Sequence, residues 1–151
     1  MMTDKLILPN EILLSKAAQV VAEGKIAIIP LKGQSMYPFI HGGIDCVELS
    51  LPSALKVGDI ILAEIRPGKY LLHRIYQFTG DDGIVLMGDG NLYNKEYCVR
   101  SDVRAKALVA ISKNGKRRRL DSSSMKIFAK VWKFCLPIRG LLLRICWKLH
   151  C

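Results

Sequence analysis

Hydrophobic and polar positions change their period twice along this chain. Between residues 10 and 24, Ile12, Leu13, Ala17, Val20 and Val21 recur at helical spacing, a stripe interrupted by Lys16. This pattern predicts one amphipathic helix, with Asn10 as N-cap and Gly24 just beyond its C-terminus. From Lys25 the apolar runs shorten and become rich in β-branched residues. Residues 26–31, 44–49, 60–65, 70–78, 84–87 and 104–111 read as strands. Turn signals at 56–59, 66–69, 79–83 and 113–115 separate the later ones. Short strands at this spacing predict a mainly β fold, a compact antiparallel sheet or partial barrel. After Leu120 the period lengthens again. Lys126, Lys130, Lys133, Arg139, Arg144 and Lys148 stand among Ile, Phe, Val, Trp, Leu and Cys, which predicts two short basic amphipathic helices broken near Pro137 and Gly140. The expected organisation is an N-terminal helix over 1–24, a β-rich domain over 25–120 and a basic helical tail over 121–151.

Composition narrows the class. With 151 residues, half of them hydrophobic, the chain has enough apolar material for one domain with a real core, and disorder is excluded for most of its length. A formal charge of +10 calls for an anionic partner: membrane headgroups, nucleic acid or an acidic substrate. The basic run at 113–119 surrounds an Asn-Gly turn and reads as a solvated loop, so nucleic acid is the disfavoured partner. The cysteines (Cys46, Cys98, Cys135, Cys146 and Cys151) are odd in number and form no C-x-x-C pair, which fits free thiols in a reducing compartment. His41, His73 and His150 lack the spacing of a zinc site, and no cofactor or metal is expected. Residues 1–11 mix charges with Pro9 and Asn10 and contain no apolar h-region, so no signal peptide or N-terminal anchor is expected there.

Candidate chemistry concentrates between residues 33 and 91. Segment 33–40 reads Gly-Gln-Ser-Met-Tyr-Pro-Phe-Ile, placing Ser35 between a glycine turn and a proline-stiffened stretch. Irregular backbone of this kind can aim its own N–H groups at a carbonyl oxygen, as an oxyanion hole must. On local grounds alone it is also ordinary turn chemistry. Three further boxes follow in order: Lys-Val-Gly-Asp-Ile at 56–60, Leu-His-Arg-Ile at 72–75, and Met-Gly-Asp-Gly-Asn at 87–91. Together these four boxes resemble those of the signal peptidase I superfamily, which also includes LexA-type repressors.

That resemblance implies a serine peptidase with Ser35 as nucleophile and a general base at position 73. Bacterial signal peptidases and LexA-like autoproteases carry lysine at the base position. Endoplasmic-reticulum and archaeal types carry histidine, so His73 resembles the Ser-His branch. Histidine as a residue type titrates near neutrality and can take a serine proton directly. The implied substrate is a peptide or protein with a leader or signal segment. A LexA-like autoprotease fits poorly, because residues 1–24 are too few for a helix-turn-helix domain and no Ala-Gly or Cys-Gly bond occurs. The alternative from another class is a non-catalytic binding module on the same fold, attached to membrane or nucleic acid by its tail.

The acid that would orient His73 is open on sequence. If Phe78 pairs with Ile84 in a hairpin, Ile75 falls opposite Met87 and His73 opposite Asp89. Asp89 is then the expected acid, although a one-residue slip would put the two on opposite faces. The endoplasmic-reticulum pattern carries another aspartate just after its last box; here residues 92–96 offer Glu96 instead, and Asp102 is more distant. Arg74 alternates with His73 and should point to the other face, while Asp59 reads as a turn residue. Every window of about 20 residues in the tail contains several Lys or Arg, each costing about 2.5–3.5 kcal/mol at a bilayer centre. Residues 125–151 therefore suit either a helix lying at an anionic membrane surface or a hairpin packed on the sheet. The implied setting is cytoplasmic, or peripheral on the cytoplasmic membrane face.

Overall fold

The computed structural model describes residues 9–150, apart from the His150 side chain. The expectation of no targeting segment therefore lies mostly outside the described residues, as does the thiol of Cys151. Helix α1 (Asn10–Ala22) begins one residue earlier than expected, because the Pro9 carbonyl already accepts from Leu13 N–H at 3.0 Å. Pro9 thus occupies the cap position and Asn10 is the first helical residue. Gly24 does follow the cap, at φ +82°, where a residue with a Cβ is strained.

Eight strands follow: β1 (Ala27–Pro30), β2 (Cys46–Ser50), β3 (Ile60–Arg66), β4 (Lys69–Thr79), β5 (Gly83–Met87), β6 (Glu96–Val99), β7 (Val103–Ile111) and β8 (Arg117–Arg119). They form one antiparallel sheet in the order β1-β2-β7-β3-β4-β5-β6, with β8 added beside the second half of β7. The mainly β fold expected from the strand spacing is what the chain adopts, as a sheet that does not close. Strands β6 and β8 carry too little apolar pattern to be read from sequence. The run Arg117, Arg118 and Arg119 is an edge strand rather than a solvated loop. Its charges are met across the sheet, Arg117 by Glu48 and Arg118 by Asp45 at 3.2 Å.

Strand β3 is buried on both faces. Ile60 and Leu62 face a cluster built with Leu14, Ala17 and Val21 of α1, while Ile61 and Ala63 face a second cluster with Ile75, Ile84 and Leu86. This period of two divides one strand between two cores. The tail forms α2 (Ser123–Phe134), a single 3₁₀ turn (Leu136–Ile138) and α3 (Arg139–His150). Ser122 caps α2 by accepting from Met125 N–H at 3.3 Å, and Pro137, which has no N–H to donate, falls in the turn between the two helices. No helix among the described residues is long and apolar enough to cross a membrane.

The β4–β5 hairpin departs from the expected register at one point. Thr79, Phe78 and Gln77 pair with Gly83, Ile84 and Val85 as anticipated. A bulge at Tyr76 then shifts the ladder, so that Ile75 meets Leu86 and Arg74 meets Met87. All residues of β4 before Tyr76 are thereby displaced by one position relative to β5, which reassigns the side chains around His73.

Leu62 is fully buried in the first cluster. Leu62→Ala should lower the unfolding free energy by about 2–5 kcal/mol in urea titration, whereas Tyr93→Ala, at an 87% exposed position, should change it by less than about 0.5 kcal/mol.

Candidate active site

The loop carrying Ser35 is anchored from beneath by Met36, Tyr37 and Ile40, all buried. Gln34 Nε2 donates to Gly42 O at 3.0 Å and Tyr37 N–H to Gln34 O at 3.1 Å. Gly42 has no substitute, since a Cβ there would lie 1.5 Å from Gly33 O. Ser35 itself is half-buried. Its carbonyl accepts from Gly90 N–H at 2.8 Å, while its own N–H and hydroxyl make no hydrogen bond to a described group.

His73 lies on β4, 8% exposed, with Nδ1 2.9 Å from Glu96 Oε2 at the start of β6. A carboxylate on Nδ1 favours the tautomer with its proton there, leaving Nε2 as the basic nitrogen. Nε2 is turned toward Gly88, where a Cβ would sit 3.2 Å from it and 2.5 Å from Ser35 O. Only glycine at 88 allows the His73 ring and the Ser35 backbone to approach the same point. Ser35 and His73 line one cleft of about 140 Å³ together with Leu31, Met36, Tyr70 and Leu72. No hydrogen bond joins the Ser35 hydroxyl to the His73 ring; such contacts often tighten only with substrate in place.

Asp89, the acid expected from the unshifted register, does not reach His73. It accepts two hydrogen bonds from Arg74, Nε to Oδ1 and Nη2 to Oδ2, each 2.8 Å. The bulge at Tyr76 is the reason, because it sets Arg74 rather than His73 toward the end of β5. Arg74 therefore points away from His73 and pairs with a carboxylate, as its alternation suggested, and its Nη1 also donates to Gly58 O at 2.7 Å. Asp59 accepts from Lys56 N–H at 2.8 Å, the expected turn contact, and additionally pairs with Lys106 at 3.1 Å. Asp102 accepts from Val99 N–H at 2.9 Å, a contact local to the turn after β6. Burial, with a smaller push from Asp102, raises the Cys98 thiol to about 11, so it is a poor nucleophile at neutral pH.

The tail reaches the same region. Trp132 Nε1 donates to Asp89 O at 2.8 Å and Arg139 Nη1 to Asn91 O at 3.0 Å. The turn 88–91 is thus held by the tail on one side and holds Ser35 on the other. Nothing in the apolar pattern of the tail singles out Arg139, because its burial arises from polar contacts with a distant loop.

No protein-family model matches the chain, and no curated protein matches it.

Removing one partner of the Arg74–Asp89 pair leaves a buried guanidinium without its carboxylate. Asp89→Ala should therefore cost about 3–5 kcal/mol of stability, and Glu96→Gln, which keeps an acceptor for His73, about 1 kcal/mol or less. Urea titration of both variants checks this, and equal losses would contradict the assignment of the two acids.

Proposed function

We propose that the protein is a serine endopeptidase of signal-peptidase type, which cleaves a leader or signal segment from a peptide or protein. The observation that carries the reading is His73, held at Nδ1 by Glu96 with Nε2 facing the Ser35 loop across Gly88. Ser35 is the nucleophile, His73 the general base and Glu96 the orienting acid. Ser35 Oγ attacks the scissile carbonyl carbon as His73 Nε2 takes its proton. The Ser35 N–H, which donates to no described group, is the candidate donor to the oxyanion. Collapse breaks the C–N bond, and the leaving amine receives the proton from Nε2. Water then attacks the ester, again giving its proton to His73, and releases the acid product with Ser35 restored.

The tail supports a second element of the reading, peripheral attachment to an anionic membrane on the cytoplasmic side. Met125 and Ala129 of α2 face the core, yet both helices also expose an apolar stripe. Lys133 and Arg139 turn inward, to Tyr76 O at 2.7 Å and Asn91 O at 3.0 Å. Ile127, Val131, Phe134, Ile138, Leu141, Ile145 and Leu149 are exposed, Phe134 by 87% and Leu149 by 78%. Lys126, Lys130, Arg144 and Lys148 are exposed along the same helices. Apolar side chains interleaved with cations suit a headgroup boundary better than water. Among the described residues, Cys46, Cys98 and Cys135 are free thiols, in keeping with a reducing compartment.

A fluorophosphonate probe should acylate Ser35 in the wild type, with no adduct in Ser35→Ala and a rate reduced at least about a hundredfold in His73→Ala. A folded wild type that stays unlabelled, with membrane present, would favour the non-catalytic binding module.

Vesicles containing phosphatidylglycerol should sediment the protein at low salt and release it at high salt, whereas neutral vesicles should bind it weakly. The double variant Phe134→Glu/Leu141→Glu should remain soluble in both. Its retention on anionic vesicles would rule out this face as the contact.

A further inference from the structure

Beneath α2 lies a cavity of about 260 Å³ that shares no lining residue with the Ser35–His73 cleft. Its charge is strongly one-sided. Lys56, Arg74, Lys126, Lys130, Lys133 and Arg139 line it, against the single carboxylate of Asp89. That carboxylate is already engaged on both oxygens by Arg74. Among the described residues, none of the four lysines forms an ion pair, and neither does Arg139.

Arg139 is the decisive member. It is 3% exposed, yet its hydrogen bonds reach only neutral acceptors: Asn91 O, Trp132 O at 3.1 Å and Met87 Sδ. Its Nε–H finds no hydrogen-bond acceptor among the described residues. A buried donor without an acceptor costs about 1–3 kcal/mol, and burial also pulls the pKa of this guanidinium below its usual value. The wall between the cations is apolar, formed by Ile75, Met87 and Ala129. A free inorganic anion would leave that wall unused, and a neutral hydrocarbon would leave Arg139 unneutralised.

We propose that this cavity binds an anionic amphiphile, a phosphate or carboxylate on an apolar chain. The anionic head lies at Arg139 within the lysine rim, and the chain runs along Ile75, Met87 and Ala129. The same chemistry is offered by a soluble acyl or alkyl anion and by an anionic bilayer lipid. The site does not depend on peptidase activity, and it lies on the inner side of α2, opposite the exposed apolar stripe.

Trp132 lines the cavity and reports on it once Trp147→Phe removes the second indole. In that background, octyl phosphate below its micelle concentration should change the Trp132 emission saturably. Octanol and inorganic phosphate should each bind at least about tenfold more weakly, the equivalent of one charge-assisted contact or of the buried chain. A parallel arm uses vesicles carrying phosphatidic acid with brominated chains, which quench Trp132 if the lipid chain enters. Saturable binding of the monomer identifies a soluble ligand, and quenching by the vesicles alone identifies a membrane lipid. In either case Arg139→Gln should weaken binding about tenfold or more. Arg139 also holds Asn91, so the exposed pair Lys126→Gln/Lys130→Gln, checked for folding by circular dichroism, should weaken it as well. No response in either arm, equal affinity for octanol, or unchanged binding by the folded lysine variant would overturn the proposal.

Discussion

The bidentate pair between Arg74 and Asp89 is the contact on which the candidate site depends. It joins strand β4 to the turn after β5, and each partner is committed elsewhere as well. Arg74 also donates to Gly58 O, and the Asp89 carbonyl accepts from Trp132 of the tail. A buried ion pair loses hydration on both sides and holds firm only where further hydrogen bonds complete its geometry. Here they do, and the result is a fixed turn at 88–91. That turn presents Gly90 N–H to Ser35 O and leaves room at Gly88 for the His73 ring.

The bulge at Tyr76 determines which carboxylate serves which cation. Side chains alternate along a strand, so a single added residue exchanges the two faces. His73 is thereby assigned to Glu96 on β6, and Arg74 to Asp89. Two functions that an unbroken ladder would have placed on one carboxylate are divided between two, one structural and one orienting. The division also leaves Glu96 at the half-buried end of a short strand, where it can hold the ring without a full desolvation penalty.

Most of the sheet was legible because its strands carry their own apolar pattern: β3 to β5 and β7 are found within a residue or two of their expected bounds. Residues 96–99 and 117–119 gave no such signal, because β6 and β8 take their place from neighbours that already exist. Ser35 and His73 were singled out from boxes in a fixed order, and the fold brings both to one cleft. The acid was misassigned for a definite reason. Hairpin pairing can be extrapolated from a turn only while the ladder is regular, and the chain gives no local sign of the bulge. Arg139 and Trp132 were illegible because their roles rest on contacts 40 or more residues away in sequence. The tail's exposed apolar stripe likewise emerges only when the sheet defines which helix face is inward.

The central claim is that His73 presents Nε2 as a lone pair to Ser35 because Glu96 holds the proton on Nδ1. Imidazole ¹⁵N NMR on histidine-labelled protein tests it most directly. The account predicts an Nδ1-protonated neutral ring for His73 at alkaline pH, reverting toward the Nε2–H tautomer in Glu96→Ala and unaffected by Ser35→Ala. A wild-type ring protonated on Nε2 would contradict it, since His73 would then offer Ser35 a donor and no base.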